Sequence, residues 1–139
     1  MTISYADRAA ITEVIAMHGH LCDSGDLDRL DEVFTADVRY DLTDFGQPTL
    51  HGTKALAAAG WAAGDLNPVG HHVTNVVLTE AAGGAVQARS KGIGIMADGS
   101  CGSVTYEDIV VRGDAGWRIS QRKILARPTP LGGKVHGAA

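Results

Sequence analysis

Apolar residues recur at helical spacing near the start of the chain. Ile11, Val14, Ile15, His18, Leu21 and Cys22 fall at i, i+3, i+4 and i+7 positions, which predicts an amphipathic helix over about residues 5–22. Ser4 and Asp7 have capping-box spacing at its start, and Gly25 closes it. Asp26 stands where an N-cap would begin a second helix, with Leu27, Leu30, Val33 and Phe34 as its apolar face. Val38, Tyr40 and Leu42 then alternate with Arg39 and Asp41, the pattern of a short strand. A turn-rich FGQPTLHGT follows, and after it an Ala-rich helix from Thr53 to about Ala63.

From His71 the period falls to two. The stretches 71–79, 85–96, 103–112 and 117–126 read as strands, joined by AAGG, ADGS and GDAG at hairpin length. Helices followed by a meander predict an α+β fold, with the helices on one face of a curved, mostly antiparallel sheet. The expected organisation is one domain over residues 1–127 and a tail over 128–139, whose two Pro and three Gly give it no regular element of its own. One strand face, carrying Val86, Ala88, Ser90, Gly92, Gly94 and Met96, has little volume. Such a face either bends the sheet or leaves room for a cavity beneath the helices.

Composition narrows the function more than the fold. The 139 residues hold 18 Gly and only 5% aromatics, in keeping with a core that surrounds a cavity. Twelve Lys and Arg against 16 Asp and Glu give a net charge of −4, so nothing favours a nucleic acid or an anionic membrane as partner. Cys22 and Cys101 lack metal-type spacing and read as free thiols. The first residues carry no signal-peptide pattern, and no apolar run approaches the ~20 residues of a membrane span, so a cytoplasmic location is expected. Nucleophile-elbow and phosphate-loop motifs are missing, which leaves neither covalent catalysis nor a nucleotide cofactor to expect.

The residues with chemistry to offer are histidines and one aspartate. His18 lies in the apolar stripe of the first helix, facing the core either as a satisfied core residue or as a working imidazole. Asp23 follows five residues later, as a turn residue or as a partner for another group. His71 and His72 open the first long strand and must point to opposite faces. Parity groups His72 with Thr74, Val76 and Leu78, the more apolar set, and so favours His72 as the inward one. A carboxylate beside either ring would orient it for acid–base work. The same cluster lacks the local spacing of a metal site, and no metal is expected.

Three segments together resemble the SnoaL-like branch of the NTF2-like superfamily. HGHLCDSGDLDRLDEVFTADVRYDL is similar to its opening helix, turn and first strand, GHHVTNVVL to its His-x-x-x-Asn strand, and GSVTYEDIVVRGDAGWRISQR to its closing hairpin. The resemblance implies a cone-shaped α+β barrel enclosing a deep apolar pocket. It also implies a cofactor-independent dehydratase, isomerase or cyclase acting on a polyketide-, steroid- or terpenoid-like substrate, with a non-catalytic ligand-binding or assembly subunit as the alternative. The dehydratase-like members combine a helix Tyr, an Asp five residues on and a strand His. These positions hold His18, Asp23 and His71 here, which favours His71 as the base and keeps His72 as the alternate. Tyr40 and Tyr106 are candidate donors to a substrate oxygen, and Trp61, Phe34 and Phe45 are expected at the pocket mouth. Trp117 and Arg122 read as scaffold, with Arg122 a sheet-face or interface charge. Asp23 is the one inward aspartate expected, which disfavours epoxide hydrolysis. The resemblance further implies a homodimer formed through the outer face of the sheet.

Overall fold

A computed structural model of the protein describes residues 3–137. Helix α1 runs Tyr5–Asp23, and its start is secured by a complete capping box between Ser4 and Asp7. Ile11, Ile15 and Leu21 from its apolar stripe are fully buried. The second helix expected after Asp26 is a single 3-10 segment, Leu27–Glu32, and the Asp26 side chain caps nothing. Only a few residues separate the left-handed turn at Gly25 from the first strand, which begins at Phe34. A 3-10 turn eclipses side chains three apart, so Leu27 and Leu30 both reach the core within that short span.

Strand β1 spans Phe34–Asp41, four residues earlier than its alternation suggests, because Phe34 is already an inward, fully buried position. The two-residue β2 (Leu50–His51) and helix α2 (Thr53–Ala63) follow. Strands β3 (Gly70–Glu80), β4 (Val86–Ile95), β5 (Cys101–Gly113) and β6 (Gly116–Ala126) complete the sheet. Its order is β2-β1-β6-β5-β4-β3, with β1 and β6 parallel and every other neighbour antiparallel. The barrel implied by resemblance is therefore an open, six-stranded mixed sheet. Helix α1 crosses it on β3 and β6, while α2 lies on β1 and the 3-10 segment. In the tail, expected without any element, Pro130–Gly133 form an exposed 3-10 turn.

Two features of this sheet set the site. Asn75 sits in the left-handed region at φ 57°, and the β3–β4 register breaks between Thr74 and Val77. This bulge shifts the inward phase, so His71 and Val73 share the inner face with Val76 and Leu78, while His72 is exposed. Parity counted straight through Asn75 had given the opposite result. Gly92 is the second feature. A Cβ there would stand 2.7 Å from Val104 Cγ2 and press on the Tyr106 ring, so the missing side chain houses an aromatic rather than opening a cavity.

Candidate active site

The last residue of α1 and the first turn of β3 meet because Gly19 has no side chain. A Cβ on Gly19 would collide with the His71 carbonyl oxygen and stand 3.3 Å from His71 Cβ. At that approach Asp23 takes two hydrogen bonds from one residue. The His71 backbone N–H donates to Oδ2 at 3.0 Å, and ring Nδ1 lies 2.6 Å from Oδ1. A carboxylate can only accept here, so Nδ1 carries a proton, and in the neutral ring the lone pair is then the one on Nε2. The pair stays reachable, with the His71 and Asp23 side chains 23% and 27% exposed.

His18 lies deeper, 8% exposed, its ring centroid 6.0 Å from that of His71 and 5.2 Å from Phe34 in an edge-on contact. Its Nδ1 is 3.1 Å from Arg122 Nη1 and its Nε2 is 3.3 Å from Cys22 Sγ. Burial above all, with the charge of Arg122 and then His71 adding to it, holds His18 well below the usual imidazole range. The Cys22 thiol is pushed up to about 11, mainly by burial and then by Asp23, so it stays protonated.

Arg122 sharpens the sequence reading. Of the two places expected, a sheet face or an interface, it takes the sheet's inner face, fully buried and paired with an equally buried Asp108 through Nε–Oδ1 at 2.8 Å and Nη2–Oδ2 at 2.9 Å. The guanidinium lies 4.2 Å over the Tyr106 ring. Asp108 is thus a second inward aspartate where only Asp23 was expected. The signal was present in the alternation: Tyr106, Asp108 and Val110 share one face of β5, and Asp108 faces Arg122 across β5 and β6. An ionised group on an apolar face calls for a partner, and here the hairpin supplies it 14 residues on.

The other expected contributors separate by depth. Tyr40 and Tyr106 are inward and buried, and burial pushes both hydroxyls above the usual phenol range, leaving them as donors. Phe34, expected at the mouth, is instead in the core beneath His18 and Tyr40. Trp61 is exposed, its indole above the Gly25 turn, where a Cβ on Gly25 would be 3.8 Å from Cη2. Phe45 is also exposed, in the 3-10 turn Thr43–Phe45. His72 points away from Asp23. Trp117 anchors the other end of the core, donating from Nε1 to Asp7 at 3.2 Å while Arg112 covers its ring. A separate open groove of about 570 Å³ runs over the outer face of the sheet, among Arg39, Val77, Arg89, Glu107 and Lys123.

Solved structures with the same chain path are numerous. An NTF2-like protein with a cystatin-like fold from Novosphingobium aromaticivorans is 27% identical, with a TM-score of 0.73 over 88% of this chain and 83% of that one. A candidate aromatic ring hydroxylase from the same organism is 26% identical, with a TM-score of 0.75 over 90% and 92% of the two chains. A candidate scytalone dehydratase, again from that organism, shares the fold at 18% identity, with a TM-score of 0.72 over 88% and 85%. No curated protein matches the sequence. The family model described as a SnoaL-like domain matches residues 4–123. With nearly the whole globular body covered by that match, the chain belongs to the SnoaL-like domain family.

Proposed function

We propose that the protein is a small cofactor-independent enzyme in which His71 Nε2 removes a proton from a carbon next to a carbonyl group. The observation that carries this reading is the double hydrogen bond from His71 to Asp23. It fixes the ring's position and tautomer, aims an unprotonated nitrogen outward and places a negative charge where imidazolium would form. The aromatic surroundings of His18, Phe34, Tyr40 and Tyr106 suit an apolar, oxygenated substrate of polyketide, steroid or terpenoid type, and Trp61 would meet it at the mouth. His18, Tyr40 or Tyr106 would donate to its oxygen, giving isomerisation, cyclisation or dehydration.

We further infer a homodimer across the outer face of the sheet. That face carries exposed Val77 and Ile93 beside both signs of charge, Arg39 and Arg89 with Asp41 and Glu107, as a self-complementary twofold contact requires. A cytoplasmic location agrees with the free thiols of Cys22 and Cys101.

The base assignment is tested by His71→Gln and Asp23→Asn, read as deuterium exchange from solvent into enolisable bicyclic ketones such as a tetralone and a decalone. His71→Gln should lose at least ~100-fold in rate, and Asp23→Asn at least ~10-fold, with the fold retained. Wild-type rates in both variants would overturn the assignment.

A further inference from the structure

The proposed base uses neither Arg122 nor Asp108, yet among the described residues the pair is the most deeply buried charge, with side chains 1% and 0% exposed. Burying two ions is costly, and a well-packed apolar pair is often as stable or more so, so stability alone does not explain them. Their geometry points elsewhere. Asp108 takes two of the guanidinium's N–H groups, from Nε and Nη2, and leaves Nη1 aimed at His18 Nδ1 at 3.1 Å. An arginine has no acceptor, so this contact exists only while Nδ1 is unprotonated. The single proton of the neutral ring is then on Nε2, and it points at Cys22 Sγ, 3.3 Å away. A thiol sulfur is a weak acceptor, so this N–H is only loosely engaged.

We propose that Asp108 and Arg122 are positioning residues that lock His18 as a neutral Nε2–H donor, which holds a carbonyl or enolate oxygen of the substrate in place of Cys22. The inference rests on His71 as the base and deepens that reading by naming the group opposite it. When His71 Nε2 takes the proton from the α-carbon, the C–H electrons move onto the carbonyl oxygen. His18 Nε2–H and the enolate oxygen then share a hydrogen bond, and His71 returns its proton to carbon at the same or a conjugated position. No oxidant or reductant enters.

Every group facing His18 supports a single protonation state. Arg122, anchored by Asp108, approaches from the sheet and opposes a second proton; His71 lies beside the ring from β3; Tyr40 and Phe34 pack from β1; Cys22 is on its own helix. A neutral imidazole is a good hydrogen-bond donor and a poor acid. The site therefore suits an enolisable ketone better than an alcohol whose hydroxyl must leave protonated, and isomerisation or cyclisation better than dehydration.

Nitrogen-15 spectra of the ring-labelled full-length protein test this without reference to activity. His18 should show a protonated Nε2 and a bare Nδ1 at neutral pH. In Asp108→Leu/Arg122→Met, an apolar replacement chosen to keep the core filled, it should become a mixture of both tautomers, with ketone exchange at least ~10-fold slower. A wild-type Nδ1–H tautomer, or an imidazolium near neutral pH, would overturn the proposal whether or not the double variant folds. So would an unchanged tautomer in a folded double variant. A correct tautomer together with full exchange in His71→Gln would overturn the base reading instead, and with it the catalytic use of His18.

Discussion

At the scale of single residues, burial makes folding and protonation of His18 compete. The unfolded ring binds a proton near pH 6.5, whereas the folded ring, desolvated first and then opposed by Arg122 and His71, binds one only at lower pH. Between those values the unfolded chain holds more protons, so its share of stability is complete above pH 6.5 and is lost as the pH falls below it. The slope is up to ~1.4 kcal/mol per pH unit. Urea unfolding should show wild-type stability falling by about 1 kcal/mol from pH 6.5 to 5.5, and His18→Gln should lose most of that slope. Identical slopes would show that the ring is free to ionise in the folded protein. Residues such as these were partly legible in the sequence. The helical stripe placed His18 inward, while spacing left Asp23 either a turn residue or a partner, and only the family resemblance pointed it at a strand histidine. The depth of Arg122 was not legible, because a lone charge on a strand is ordinarily solvated and only the register of β5 against β6 brings Asp108 to it. Gly92 was legible only in part for a similar reason: a missing side chain shows that something needs space, and the Tyr106 ring that takes it lies on another strand.

At the scale of elements, β3 shows how one residue decides which histidine faces the site. The long strands and α1 were visible as periodicity, since each turns one face inward along its length and the pattern is local, while α2 was visible only as an Ala-rich run after a turn. A bulge breaks that pattern without leaving a hydrophobic trace. Asn is one of the few non-glycine residues that tolerates φ 57°, and only in hindsight does it mark the break. Asn75→Gly should stay within ~0.5 kcal/mol of wild type by urea unfolding, because glycine adopts the same backbone freely. Asn75→Val should cost about 1–2 kcal/mol and weaken the His71–Asp23 contact, because a β-branched side chain resists the left-handed region. Equal stability of the two variants would mean that the bulge does not set the strand's phase. The 3-10 segment after Asp26 escaped the sequence for a different reason. Its capping signal and apolar spacing are those of a helix, and only the early start of β1 leaves no length for one.

At the scale of the whole molecule, the open sheet has two faces with different chemistry. The inner face carries the helices, the aromatic cluster, His18 and His71; the outer face carries the 570 Å³ groove with charges of both signs. The expected barrel did not close, since β2 is two residues long and β3 lies at the far edge of the sheet. Small side chains in β4 thus make room for interior side chains, while an open groove of about 570 Å³ belongs to the face proposed for dimer formation. A crystal structure of the wild-type protein with a bound bicyclic ketone separates the two faces in one measurement. The account predicts the ketone on the inner face, its α-carbon about 3–3.5 Å from His71 Nε2 and its oxygen on His18 Nε2 in place of the Cys22 sulfur. A ketone seated in the outer groove among Arg39, Arg89 and Lys123, with His71 untouched, would contradict it.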